Sequence, residues 1–133
     1  MHVFLVDDSS IIRERLKRML AVVAEVEVIG EAEGVPAALD AILEQKPDVV
    51  LLAIPFSNGS GLDMLQSLKK AKPAPAVMIL ADDPPPLVRQ KYLETGADCF
   101  FDKPTEFDQV LPALKQLVQP ASDDSPPSPQ VTT

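Results

Sequence analysis

Asp7 and Asp8 stand side by side directly after a short apolar run, Val3–Val6. Adjacent carboxylates repel unless a cation or a basic group balances them. A hard cation such as Mg²⁺, which takes carboxylates together with several waters, suits the pair. So does the start of a helix near Ser10, where the helix dipole favours negative charge. The residues alone leave both readings open. Lys103-Pro104 follows another apolar run, Cys99–Phe101. An ammonium there can neutralise carboxylates or hold a phosphoryl oxygen as a point charge, or it can be a solvated lysine at a strand end.

The remaining reactive side chains offer less. His2 begins the first apolar run, away from the acidic pair, and reads as a surface residue. Cys99 is the single cysteine, so no intrachain disulfide can form, which favours a reducing compartment. A thiol packed in a sheet is not a nucleophile.

Elements must hold these groups in place. Short β-branched or aromatic runs occur at Val3–Val6, Val26–Gly30, Val49–Ile54, Val77–Leu80 and Cys99–Phe101. They are mostly continuous rather than alternating, the pattern of parallel strands buried on both faces. Between them the spacing predicts helices near Ile11–Val23, Val35–Glu44, Gly61–Lys70, Leu87–Thr95 and Phe107–Val118. In the first, Ile12, Leu16, Met19, Leu20 and Val23 form the apolar stripe, and Ser9 or Ser10 is placed to cap it. Its polar face carries Arg13, Glu14, Lys17 and Arg18, with Glu14 and Arg18 at a favourable spacing. Pro112 falls inside the last helix, where it must kink it or delay its effective start. Regular strand–helix alternation predicts right-handed βαβ units and an open parallel sheet, with function at the carboxyl ends of the strands.

The net charge of −8 repels phosphate backbones and anionic membranes, and no basic block offsets it, so direct nucleic-acid or membrane binding is not expected. The opening residues form too short an apolar run for a signal peptide, and no stretch could span a bilayer. A cytoplasmic location is expected. Residues 1–118 read as one domain. Residues 119–133, with Pro120, Pro126, Pro127 and Pro129 among polar residues, read as a disordered tail, either a linker or a free end.

Val3-Phe4-Leu5-Val6-Asp7-Asp8-Ser9, Lys46-Pro47-Asp48-Val49-Val50-Leu51-Leu52 and Gly96-Ala97-Asp98-Cys99-Phe100-Phe101-Asp102-Lys103-Pro104 together resemble the receiver domain of bacterial two-component response regulators. The resemblance covers about Met1–Val118 in order and spacing. It implies a flavodoxin-like (βα)5 three-layer sandwich with a parallel five-stranded sheet in the order 2-1-3-4-5. It also implies that Asp7 and Asp8 hold Mg²⁺, that Lys103 contacts a phosphoryl group, and that Pro104 follows a cis peptide bond. Phe100 takes the position of an aromatic that moves with the switch.

Two departures stand in that same register. The position where the family carries its phosphate-accepting aspartate is Ala53, with Gly61 fixing the register, and the position of the phosphate-binding Thr or Ser is Ala81. A methyl group cannot attack phosphorus, accept a phosphoryl group or ligate a metal. Any Mg²⁺ at Asp7 and Asp8 is expected to bind more weakly for want of the third carboxylate. Phe56-Ser57 replaces the Met-Pro usual after the acceptor, and Asp82-Asp83-Pro84-Pro85-Pro86 makes a stiff acidic loop. Ser57 and Asp63 are the nearest substitutes: Ser57 has no apparent base, and Asp63 falls in the third helix, out of line with the acidic pair.

These residues point to a degenerate receiver, a phosphorylation-independent protein-interaction module rather than an enzyme, since a phosphohydrolase would lack a nucleophile near the acidic pair. The alternative is a working phosphoacceptor in which Ala53 arose by mutation or another residue substitutes. The resemblance makes the first helix, with Arg13, Arg15, Lys17 and Arg18, the docking surface for a histidine kinase or phosphotransfer protein; the residues themselves read first as a solvated face, with retained docking as the alternative. An output protein or a second copy is expected at the face of the fourth helix, fifth strand and fifth helix, around Leu87, Arg89, Lys91, Tyr92 and Phe101.

Overall fold

The computed structural model describes residues 1–54, 61–82 and 84–118. The expectations for Phe56, Ser57, Asp83 and the tail therefore lie outside the described residues. The chain runs β1 (His2–Val6), α1 (Ser10–Leu20), β2 (Glu27–Ala32), α2 (Val35–Gln45), β3 (Val49–Ile54), α3 (Gly61–Lys70), β4 (Ala76–Ala81), α4 (Pro86–Thr95) and β5 (Cys99–Asp102). A helical turn over Lys103–Glu106 and a 3-10 turn over Phe107–Gln109 lead into the last helix, α5 (Val110–Val118). All strand pairs are parallel and the order is β2-β1-β3-β4-β5. This is the flavodoxin-like sandwich with helices on both faces. Among the described residues no helix is long and apolar enough to cross a membrane.

Successive strand residues point to opposite faces, so a continuous apolar run feeds two cores at once. Val3, Leu5, Val49, Leu51, Met78 and Leu80 meet Leu16 and Leu20 of α1 and Val110 and Leu114 of α5. Phe4, Val6, Val50, Leu52, Val77 and Ile79 meet Ala38 and Ile42 of α2 and Met64, Leu65 and Leu68 of α3. Phe4 lies over Gly30 so closely that a Cβ at that position would stand 2.6 Å from its ring. Glycine is thereby required for the edge strand to approach the core.

Two aspartates of the sequence motifs turn out to splice strands. Asp48 accepts the His2 backbone N–H at 2.7 Å, and Asp98 accepts that of Val77 at 2.8 Å. Each sits one residue before its own strand and fixes the start of the neighbouring one.

Four expectations need correction. Helix α1 ends at Leu20 rather than Val23, because the chain turns there and Val23 packs back as a buried loop residue. Strand β2 is shifted to Glu27–Ala32, held by its register with β1. Phe101, expected on the exposed face, is 9% exposed and points into the core under α1 and α5, since strand alternation sends Phe100 the other way. Arg13, expected on a solvated face, is buried. At Pro112 the delayed start is what occurs: the proline lies in the first turn of α5, where its missing N–H would have had no helical partner.

Candidate functional site

The strand registers bring the singled-out residues to one edge of the sheet. Val6 pairs with Leu52, so Asp7 and Ala53 follow at the same level. Ile54 pairs with Ala81, and Ala81 with Asp102, after which comes Lys103. Asp7, Ala53, Ala81 and Lys103 thus share the carboxyl end, and both alanines are buried. His2 lies at the opposite end, exposed, with its Nε2 3.8 Å from Glu27. Asp63 is exposed in the first turn of α3.

Asp7 is 1% exposed. Its Oδ1 accepts the Ser9 N–H at 2.9 Å, while Ser9 Oγ accepts the Ile12 N–H at 3.3 Å and caps α1. Its Oδ2 is buried and has no hydrogen-bond donor among the described residues. The nearest cation is Lys103, whose Nζ is 3.5 Å away. An orphaned buried carboxylate oxygen is costly unless a charge compensates it, so the lysine is the group that makes the buried acid tolerable. Asp8 is exposed, one residue on. Asp7 thus shapes the start of α1 through Ser9, and its second oxygen faces the Lys103 ammonium.

The donor set fits a hard divalent ion in part. Asp7 and Asp8 supply carboxylate oxygens, and the neighbouring position on β3 supplies a methyl. Among the described residues no three His, Cys, Asp or Glu side chains converge. Pro104 stands second in the helical turn Lys103–Glu106.

Sequence reasoning missed the group behind this site. The Arg13 guanidinium donates from Nη1 to the Asp7 backbone carbonyl and from Nε to Glu31 at 2.8 Å, with Glu33 at 3.9 Å. Lys17 Nζ bridges Glu31 and Glu14, each at 2.7 Å. Glu14 thus pairs with Lys17 in place of the expected Arg18. The Lys17 hydrogen bond, and then that of Arg13, hold Glu31 below the usual carboxylate range against the opposing effect of burial. The same contacts, with Glu14 first, hold Lys17 above the usual ammonium range. The clue in the sequence was Arg13 one residue from the apolar Ile12 and three before Leu16, within the span of the buried stripe.

On the other side Phe100 is buried at 3% exposure. Tyr92 meets its ring at 5.9 Å between centroids with a tilt of 57°, and the Arg89 guanidinium stands 5.5 Å from its centroid. Arg89 also reaches Glu106 at 3.5 Å, and Glu106 accepts the Asp102 N–H at 2.9 Å. Ala81 belongs to the same core as Phe100. Cys99 is half-buried, and burial, with Asp98 adding to it, pushes its thiol above the usual range, away from nucleophilic reactivity.

Known proteins share this arrangement. Residues 3–115 match the response regulator receiver domain family. A protein-glutamate methylesterase/protein-glutamine glutaminase from Carboxydothermus hydrogenoformans is 37% identical over 117 residues, covering 87% of this chain and 34% of that protein. The sensory transduction protein LytT of Bacillus anthracis is 35% identical over 114 residues, 86% of this chain and 46% of that one. The chain therefore spans one third to one half of the length of these relatives. Among solved structures, the response regulator domain of Thermotoga maritima CheB is similar with a TM-score of 0.76 and 28% identity, covering 95% of this chain and 98% of that one. The receiver domain of NarL from Mycobacterium tuberculosis gives 0.80 and 25%, covering 90% and 96%. By sequence, topology and the acid–lysine pair at its strand ends, this chain belongs to the response regulator receiver domain family.

Proposed function

We propose that this receiver domain works as a phosphorylation-independent interaction module in two-component signalling. The observation that carries the reading is the pair of buried alanines, Ala53 and Ala81, level with Asp7 and Lys103 at the strand ends. Phosphoryl transfer needs a nucleophile, a cation and charge-stabilising donors together. The cationic side persists in Lys103, whereas both alanine positions offer only methyls. Mg²⁺ would draw on Asp7 and Asp8 alone and bind more weakly than at a three-carboxylate site. With no phosphoryl group to answer, Phe100 stays packed under Arg89 and beside Tyr92, giving α4 and β5 one constitutive surface.

Receiver domains act with histidine kinases and output domains. For this chain a kinase or phosphotransfer protein would meet α1, and an output protein or a second copy would meet α4, β5 and α5. Arg13 and Lys17 are occupied by Glu31 and Glu14, so docking on α1 would fall to the exposed Ile11 and Arg18. The segment itself would have no enzymatic activity. The domain would end near residue 118, with 119–133 serving as a tail or linker.

One observation favours a second reading. Asp7 keeps a free buried oxygen facing Lys103, the half of a phosphorylation site that costs most to maintain. A receiver whose acceptor was replaced at Ala53, or supplied by another residue, would retain that half. Intact-protein mass after incubation with acetyl phosphate and Mg²⁺, beside an Ala53→Asp variant, decides between them. The expected result is no change in the native chain and one added phosphoryl group in the variant. A phosphoryl group on the native chain would overturn the proposal.

A further inference from the structure

At the amino end of the sheet, opposite Asp7, a cleft of about 230 Å³ opens between the end of α2 and the connection from α3 to β4. Its floor is Ile42, Pro47 and Pro75, all buried, and its walls include Leu43 and Ala71. Leu43 is 43% exposed, next to the buried Ile42 on the same helix. The two charged lining residues are Lys46 and Lys72, both exposed, and neither ammonium has a partner among the described residues.

The walls are fixed by their own backbone bonds. Lys46, in the left-handed region at φ 52°, donates its N–H to Ile42 O at 2.8 Å. Ala76 N–H donates to Asp48 O at 2.9 Å, and Lys69 Nζ to Pro75 O at 3.0 Å. Lys69 is further committed to Asp98 at 3.0 Å. Two prolines in the floor and a capped helix end leave little ordering cost for an incoming group. A lysine in the last turn of a helix is explained by the helix dipole, and Lys69 and Lys70 are of that kind. Lys46 and Lys72 lie past the helix ends, on the rim of the cleft.

We propose that this cleft docks an acidic peptide segment of a partner protein through one bulky apolar side chain. The volume is below that of cofactor sites, which start at about 300 Å³, and matches a single Leu or Phe anchor. The ammonium groups on the rim select carboxylates beside the anchor. Polyanions such as nucleic acid or an anionic membrane are disfavoured by the chain's charge of −8, which a short peptide with two or three acids feels far less. Nothing at this pole depends on whether Ala53 can take a phosphoryl group.

The test uses the 133-residue chain and a fluorescein-labelled peptide of sequence Asp-Leu-Asp-Phe-Asp, with Asp-Ser-Asp-Ser-Asp as control. Fluorescence anisotropy is expected to give saturable binding of the first peptide at about 100 μM, the range of a single-anchor contact. Charge reversal at the rim, Lys46→Glu with Lys72→Glu, is expected to weaken it at least about fivefold, the loss of roughly 1 kcal/mol of exposed ion pairing. Amide NMR shifts on adding the peptide should cluster at Leu43, Lys46, Ala71 and Lys72. Absence of saturation, equal binding of the serine control, indifference to charge reversal, or shifts confined to α1 or α4 would each overturn the proposal.

Discussion

Helix α1 is fastened to the sheet by Leu16 and Leu20, both 1% exposed, and by the buried Arg13, whereas α4 buries none of its ten residues. Arg13 and Lys17 tie α1 to β2 through Glu31, and Ser9 caps its first turn. Helix α4 starts after Pro85, which offers no side-chain cap, and rests on the partly buried Val88 and Tyr92. The two helices lie on opposite faces of the sheet, α1 beside the edge strand β2 and α4 beside the edge strand β5. One follows the acidic pair and cannot shift without breaking an ion network; the other covers Phe100 and has little to break. Local stability is lowest where buried apolar contacts are few, so α4 is the cheaper of the two helices to move.

Truncating a buried side chain on each helix gives the largest contrast. Leu16→Ala is expected to cost about 2–5 kcal/mol, since the removed atoms sit in a closed core between α1 and the sheet. Val88→Ala should cost about 1 kcal/mol, because the site is half open. Urea unfolding measures both, and equal losses would break the comparison. Next come the two arginines. Arg13→Met strands the Asp7 carbonyl, leaves Glu31 to Lys17 alone and is expected to cost about 1–3 kcal/mol. Arg89→Met removes a half-exposed pair with Glu106 and should stay within about 1 kcal/mol.

The α1 network also predicts a pH dependence. Lys17 and Arg13 hold the Glu31 carboxyl lower in the folded chain than in the unfolded one. Its contribution is therefore present above the ordinary glutamate range and is lost as pH falls through the folded value. Lys17 is shifted upward, so its contribution is complete below the ordinary lysine range and declines only when strong base is reached. Denaturation curves between neutral and acid pH should show a fall in stability that Glu31→Gln makes shallower. An unchanged slope would mean that the network is solvated rather than structural.

How far the sequence discloses such a molecule depends on which residues are asked. The five strands were legible because runs such as Val49–Ile54 are apolar without alternation, and only a sheet covered on both faces needs that. The acid–lysine pair was legible because Asp7 and Lys103 each follow such a run, and parallel strands end on one edge. Arg13 was not legible. Its side chain is polar by type, and the carbonyl and carboxylate that receive it lie on β1 and β2, joined to it only by the folded chain. Phe101 was misplaced because an edge strand still has two faces, and only the register of β4 with β5 shows which residue turns to which core. Asp48 and Asp98 stood in recognised motifs, yet their splicing of neighbouring strands depends on contacts 46 and 21 residues away.

The smallest expected effect is at Tyr92, which ties α4 to Phe100. Burial, and then the charge of Asp63, push its hydroxyl above the usual tyrosine range. It is the single tyrosine of the chain, so near-ultraviolet absorbance reads it without interference. A raised value in the folded chain means that the neutral phenol is favoured there, so stability falls as pH climbs past the ordinary tyrosine range. Tyr92→Phe keeps the ring against Phe100 and is expected to change stability by no more than about 0.5 kcal/mol. If Tyr92 instead titrates as a free tyrosine does, the ring spends much of its time in solvent. Helix α4 would then be looser than its contacts with Phe100 indicate, and the gap between the two helices wider still.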